Sequence, residues 1–369
     1  MLVEHKRSVV LNGICPYFTM FPLEFPHTIL RNNAHAGDWV ADPFCGRGTT
    51  NYASRVLGLP SFGIDSSPVA VALAKAKLAN TSPAWIMFSA RRILEEVQEP
   101  KHIPTGEFWE WAYHPDVLRT LCRLREGLLT NCQSPSRIAL RAIIMGALHG
   151  PLAKSNPSYF SNQSPRTYAP KPKYAVNFWK SRNLTPKPVD VLQIIEKKAR
   201  RYYGQEPKGA KGIVVQGDSR NEYSFSIFRG RKQVKWVITS PPYYGMRTYL
   251  PDQWIRLWFL GGKDHVDYSN KEQVEHASPF VFASQLNQVW KNVAAVCTDD
   301  ARLIIRFGAI NDRKVDPMEI LHNSLENSGW KIDKIEDAGT AANGKRQAEQ
   351  FKASRHKPIS EYDVWAVRD

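Results

Sequence analysis

The sequence is poor in cysteine. Its five cysteines, Cys15, Cys45, Cys122, Cys132 and Cys297, are spread over 369 residues. An odd, scattered set without Cys-x-x-Cys spacing excludes a disulfide framework and a zinc-ligand pattern. A reducing cytoplasm is the expected compartment, and no metal is expected. Long apolar runs are also missing, and none approaches the ~20 residues of a membrane span. The segment Met1-Leu2-Val3-Glu4-His5-Lys6-Arg7 has no apolar signal core behind it. No internal repeat or low-complexity tract stands out. Acid is the third shortage: 35 Asp and Glu against 50 Lys and Arg leave a formal net charge of +15. A balance of that sign points to a polyanionic partner.

Two stretches far apart carry the chemistry. Asp42-Pro43-Phe44-Cys45-Gly46-Arg47-Gly48-Thr49-Thr50 follows a short strand at Trp39-Val40-Ala41 and opens a helix, Thr50 to Leu57, stopped at Gly58. Two glycines in a strand-to-helix turn let the backbone approach a ligand closely. The next strand, Ser61-Phe62-Gly63-Ile64-Asp65, ends in an acid placed to grip a ribose hydroxyl. The second stretch is Thr239-Ser240-Pro241-Pro242-Tyr243-Tyr244-Gly245, after the apolar strand Val234-Lys235-Trp236-Val237-Ile238. The diproline ends the ladder, because neither proline donates to it. The chain leaves the strand as a stiff lip with a hydroxyl (Ser240), a carbonyl (Pro241) and an aromatic face (Tyr243). Such a lip suits a planar ring with an exocyclic amine.

Together these residues resemble the S-adenosylmethionine-dependent amino-methyltransferases of DNA. Asp-Pro-Phe-Cys-Gly-x-Gly-Thr at 42–49 is similar to their Phe-x-Gly-x-Gly cofactor loop. Ser240-Pro241-Pro242-Tyr243 resembles their catalytic loop, in the version most often seen in cytosine-N4 enzymes. Pro16-Tyr17-Phe18-Thr19-Met20-Phe21-Pro22 looks like the segment packing on the cofactor's methionine end, and Gly217-Asp218-Ser219-Arg220 like the adenosine-contacting turn. The match covers roughly residues 15–80 and 210–310. Cofactor loop first and catalytic loop second, with a long insert between, resembles the alpha-type order, although the insertion point departs from it.

The resemblance implies an α/β fold, a Rossmann-like class I methyltransferase three-layer sandwich with a mostly helical insertion. It divides the chain into a cofactor-binding half (1–82), a helical insertion and candidate DNA-recognition region (83–210) and a catalytic half (211–369). S-adenosylmethionine is the implied cofactor, held by Phe18, Asp42, Phe44, Gly46, Gly48, Thr49, Asp65, Asp218 and Ser219. Ser240, Pro241, Pro242 and Tyr243 are the implied catalytic set. Double-stranded DNA is the implied partner, with the target base flipped out of the helix. Adenine-N6 methylation, guanine-N2 methylation of RNA and a non-catalytic DNA-binding role on the same scaffold are the alternatives. A restriction or defence partner is compatible with the sequence, which fixes neither it nor the oligomeric state.

The insertion adds its own signal. From Lys154 to Lys187 there is no Asp or Glu. Lys154, Arg166, Lys171, Lys173, Lys180 and Arg182 are the candidate phosphate contacts. Interleaved Tyr159, Phe160, Tyr168, Tyr174 and Trp179 could stack on bases. Trp109, Trp111 and Tyr113 read as core. Helices are expected from His114 to Leu129, Ser136 to His149, Pro188 to Tyr203, Asp252 to Leu260, Phe280 to Val296 and Asp316 to Asn327. A buried strand is expected at 301–307 and an antiparallel pair at Trp330–Ile335 and Glu361–Val367. The basic stretch between that pair, Gly339 to Pro358, is either a second DNA-facing loop or a solvated hairpin tip.

Overall fold

Prolines and short apolar runs set the elements. In a computed structural model, residues 10–15, 21–150, 157–161, 171–204, 209–245, 253–267, 278–308, 315–340 and 360–369 are described. In chain order the elements are α1 (Glu24–Asn33), β1 (Trp39–Asp42), α2 (Thr49–Val56), β2 (Ser61–Asp65) and α3 (Pro68–Leu78). Helices α4 (Pro83–Glu96), α5 (Glu107–Ala112), α6 (Pro115–Thr130), α7 (Pro135–Met145), α8 (Pro172–Lys180) and α9 (Val191–Tyr203) come next. Then come β3 (Gly212–Gln216), a 3-10 turn (Glu222–Phe228), β4 (Val234–Thr239), α10 (Trp254–Phe259) and α11 (Pro279–Val296). The chain continues with β5 (Cys297–Gly308), α12 (Pro317–Leu325), β6 (Trp330–Thr340) and β7 (Ser360–Arg368). Pro83, Pro115, Pro135, Pro279 and Pro317 each open a helix, where a missing N–H costs nothing. Ser82, Ser134, Ser278 and Asp316 cap the helices they precede. Among the described residues no helix is long and apolar enough to cross a membrane.

The chain forms two compact units, and they do not follow the three consecutive segments expected. One gathers residues 1–17, 75–208 and 249–270; the other 18–74, 209–248 and 271–369. The helical unit therefore takes in α10 and the N-terminal residues as well as the insertion. Its core holds Trp179, Tyr113 and Trp109, with Trp258 from α10. Arg125 Nε donates to the Trp258 carbonyl at 2.7 Å, and Trp109 Nε1 to that of Asp264 at 3.1 Å. Lys77, fully buried, donates to Asn12 Oδ1 at 2.7 Å, which satisfies an otherwise costly ammonium.

The other unit is a seven-stranded sheet in the order β3-β2-β1-β4-β5-β7-β6. β1 pairs in parallel with β2 and β4, and β4 with β5. β7 runs antiparallel between β5 and β6. Ala41, Val237, Leu303 and Ile305 point into one cluster with Phe282, Leu286, Val289 and Trp290 of α11. The alternating Val40, Ile238 and Ile304 are fully buried too, so both faces are covered, as parallel strands require. The sheet and its helical layers make an α/β, Rossmann-like fold. Chain order reverses between β1 and β4, and open α/β sheets bind ligands outside the strand ends at such a reversal.

Candidate active site

The two motif loops leave neighbouring strand ends. Ala41 pairs with Val237, so Asp42 and Thr239 end their strands side by side. Thr239 Oγ1 donates to Asp42 Oδ1 at 2.6 Å, across 197 residues of sequence. Thr50 Oγ1 at the start of α2 donates to the Ile238 carbonyl at 3.1 Å. The glycine loop and the Ser-Pro-Pro-Tyr loop are thus fastened to each other at their roots. Thr239→Val removes one donor from a buried carboxylate. We expect it to destabilise the sheet unit by about 1–3 kcal/mol in urea denaturation. An unchanged midpoint would show that the bond carries no weight.

Asp42 is the most tightly held residue of the glycine loop. Oδ1 also accepts from the Phe44 amide at 3.0 Å. Oδ2 is buried and has no hydrogen-bond partner among the described residues. Burial pushes the Asp42 carboxyl up to about 6, against the pull of the Thr239 and Thr50 hydroxyls and the Phe44 amide; the nearby charge of Asp65 adds to the rise. Asp65, at the tip of β2, accepts from the Gly46 amide at 2.9 Å through Oδ2 and from the Ser67 amide at 2.8 Å through Oδ1. Desolvation raises it to about 6 as well, with both amides opposing. The β2 acid therefore shapes the glycine loop directly and keeps one lone pair on each oxygen for a further donor.

Gly46 (φ 51°) and Gly48 (φ 75°) both take the left-handed conformation. Among the described residues a Cβ on Gly46 would meet nothing nearer than the Phe44 carbonyl oxygen, at 4.0 Å. Gly48 presses instead on Ala74 of α3. Thr49, buried, begins α2. Phe44 packs edge-on against Trp290 at 6.1 Å. Ser219 Oγ donates to the Pro43 carbonyl at 2.5 Å, which ties the turn after β3 to the glycine loop. Asp218 is already engaged: Arg220 grips both its oxygens (Nε–Oδ1 3.0 Å, Nη2–Oδ2 2.6 Å) and holds its carboxyl below the usual range. Asp218 and Arg220 line a cleft of about 420 Å³ with Asn221, Glu222, Tyr223, Gln288 and Asn292. Phe18 lies outside the described residues.

In the second loop Ser240 is half-buried and Pro241 buried, while Pro242 keeps partial exposure. Tyr243 is 8% exposed; its ring packs edge-on against Phe307 (5.4 Å) and its hydroxyl donates to Glu361 Oε1 at 2.6 Å. Glu361 was not among the residues singled out by sequence. Neither was the Thr239 link, although Thr239 opens the diproline stretch and Glu361 the expected strand at 361–367.

The candidate nucleic-acid residues divide. Lys154, Arg166 and Tyr168 fall outside the described residues. Lys171 and Lys173 are exposed at the start of α8, and Tyr174 beside them is 51% exposed. Lys180 pairs with Glu107, and the Arg182 guanidinium lies over the Phe178 ring at 4.1 Å. Phe160 and Trp179 belong to the core. The basic stretch 341–358 also lies outside the described residues. Among the described residues no group of three or more His, Cys, Asp or Glu is placed to hold a metal ion.

Comparison with known proteins finds a partial match that includes the glycine loop. Residues 4–76 match the family model for N6/N4 methyltransferases, described as DNA methylase. The Type II methyltransferase M.MjaII of Methanocaldococcus jannaschii is 36% identical over 78 residues, which is 21% of this chain and 15% of that protein. The chain thus matches only a small part of that relative's length. Similar solved structures include the rRNA methyltransferase aviRa of Streptomyces viridochromogenes, at 13% identity and TM-score 0.37 over 96% of this chain and 89% of that one. An rRNA methylase of Streptococcus thermophilus aligns at 6% identity and TM-score 0.35, over 95% and 99%. The resemblance read from the motifs, to DNA amino-methyltransferases of the N4/N6 type, is the one these partial sequence matches support.

Proposed function

We propose that this protein transfers a methyl group from S-adenosylmethionine to the exocyclic amine of a base flipped out of double-stranded DNA, with cytosine N4 as the target. The observation that carries the reading is the Thr239–Asp42 bond, which roots the cofactor-type loop and the catalytic-type loop side by side at the reversal of strand order. The Ser240 version of the catalytic loop favours cytosine N4 over adenine N6.

The residues fit the cofactor. Asp42 Oδ2 is a buried anionic oxygen without a partner among the described residues, suited to a cationic methionine end. Gly46 leaves space beside its backbone among the described residues. Asp65 retains lone pairs for ribose hydroxyls; Asp218 and Ser219 would take the adenosine side, and Phe44 would offer an apolar wall. When bound, the sulfonium supplies an activated methyl group.

The chain's own task is to aim the amine. Its lone pair is delocalised into the base ring and is a poor nucleophile. Ser240 Oγ and the Pro241 carbonyl would accept its hydrogens, turn the nitrogen towards tetrahedral geometry and stabilise the positive charge that develops. Tyr243 would present its ring to the base. Lys171, Lys173, Lys180 and Arg182 would contact phosphates. No covalent enzyme nucleophile is needed, and Cys45 is buried packing.

The test uses labelled cofactor and duplex DNA, with digestion to nucleosides and mass spectrometry of the product. Ser240→Ala is expected to lower kcat about tenfold to a hundredfold, the worth of a hydrogen bond to a developing charge. Tyr243→Ala should lower it further. N4-methylcytosine is the expected product. N6-methyladenine would keep the architecture and move the target; methylation of transfer RNA in preference to duplex DNA would overturn the DNA assignment.

A further inference from the structure

We infer that Glu361, on the strand β7, is a positioning residue that sets the ring of Tyr243 for methyl transfer; the inference rests on the function proposed above. The two side chains are 118 residues apart in sequence, and the Tyr243 hydroxyl donates to Glu361 Oε1 at 2.6 Å. Both are buried, at 8% and 5% exposure. That distance is in the range of a charge-assisted O–H···O⁻ bond. Burial and the Glu361 charge push the Tyr243 hydroxyl up, so the phenol keeps its proton and the donor direction is fixed.

The surroundings leave the pair little slack. Phe307 covers one side of the ring. A Cβ on Gly308 would lie 3.0 Å from the Ser360 carbonyl, 3.2 Å from Glu361 Cγ and 3.4 Å from Tyr243 Cε2. Placing a carboxylate there costs desolvation, and an apolar pair of similar volume would serve stability as well or better. What the carboxylate adds is direction. A phenol anchored through its Cα and pinned at its oxygen loses freedom of tilt. A loop aiming an amine at a methyl group gains from such rigidity, since small misplacements of reacting groups cost large factors in rate.

Steady-state methyl transfer to duplex DNA decides the matter, measured on the full chain for Glu361→Ala, Glu361→Gln, Tyr243→Phe and the Ala/Phe double variant. Glu361→Ala is expected to lower kcat about tenfold to a hundredfold, with the KM for cofactor changed less than about twofold. Glu361→Gln keeps an acceptor and should recover most of that loss. In the Tyr243→Phe background, Glu361→Ala should change kcat less than about twofold, because its partner is already gone. Should the alanine variant fail to fold, Glu361→Asp, one methylene shorter, takes its place with the same expectation. An unchanged kcat, an equal loss in both backgrounds, or a loss confined to KM overturns the inference while leaving the methyl-transfer reading intact. A wild-type protein inert on DNA and RNA alike overturns both.

Discussion

At pH 8, Asp42→Asn is expected to weaken S-adenosylmethionine binding by about two orders of magnitude while leaving the ligand-free protein at least as stable as the wild type. The two halves of that result share one cause. Asp42 is 1% exposed, and its carboxyl is raised from 3.8 to about 6 chiefly by burial. A carboxylate whose folded value is raised favours folding when protonated. That contribution is full below 3.8 and is lost as pH rises through 6, so the ionised form costs about 3 kcal/mol at neutral pH and above. Asparagine removes the charge, keeps an acceptor for Thr239 and Phe44, and escapes the cost. It also removes the anionic oxygen that has no partner among the described residues and that a cationic ligand would neutralise, and truncating one side of a buried charge pair costs about 2–5 kcal/mol. Calorimetric titration and thermal unfolding between pH 5 and 8 check both halves. The affinity gap between wild type and variant should close towards pH 5, where Asp42 is mostly protonated. Equal affinities at pH 8 would remove Asp42 from the cofactor site.

Gly48→Ala should destabilise the sheet unit by about 2–5 kcal/mol and abolish cofactor binding at 37 °C, whereas Gly58→Ala should cost only about 1–2 kcal/mol. The two glycines have nearly the same backbone, φ 75° and φ 74°, so the conformational penalty for an L side chain is shared. They differ in what a Cβ would meet. At Gly58 no described residue would lie within 4 Å of a Cβ; at Gly48 the Ala74 Cβ is 2.7 Å away and its Cα 2.9 Å. Relief there requires moving backbone of α3, and overpacking of that kind costs a further 1–3 kcal/mol or so. Urea midpoints for the two variants separate strain from collision. Equal losses would mean that α3 yields freely.

The local parts of this site were legible in the sequence because local rules govern them. Gly46 and Gly48 between a strand and a helix, the acid closing β2, and a diproline after β4 all arise from backbone chemistry within a dozen residues. Helices opening at Pro115, Pro279 and Pro317 fell within a few residues of their expected starts for the same reason. The links that depend on strand order could not be read. Thr239 reaches Asp42 only because β4 lies beside β1, and Glu361 reaches Tyr243 only because β7 enters between β5 and β6. Nothing in the composition of Ser360–Arg368 announces that placement. Likewise α10 carries Trp254, Trp258 and Phe259 as an ordinary apolar helix. That it joins the helical unit, with residues brought from both ends of a long stretch, is a matter of tertiary packing alone. The charge deficit between Lys154 and Lys187 was legible too, yet it did not tell Trp179, fully buried, from Tyr174, half exposed.

The position of β7 has a consequence for biosynthesis. The strand is made after both of its neighbours, so a ribosome translating this message exposes β5 as a bare, strongly apolar margin until Ser360 and its successors emerge. During that interval the nascent polypeptide is open to illicit strand exchange with its siblings. Tyr243 also waits without its carboxylate until β7 has been made.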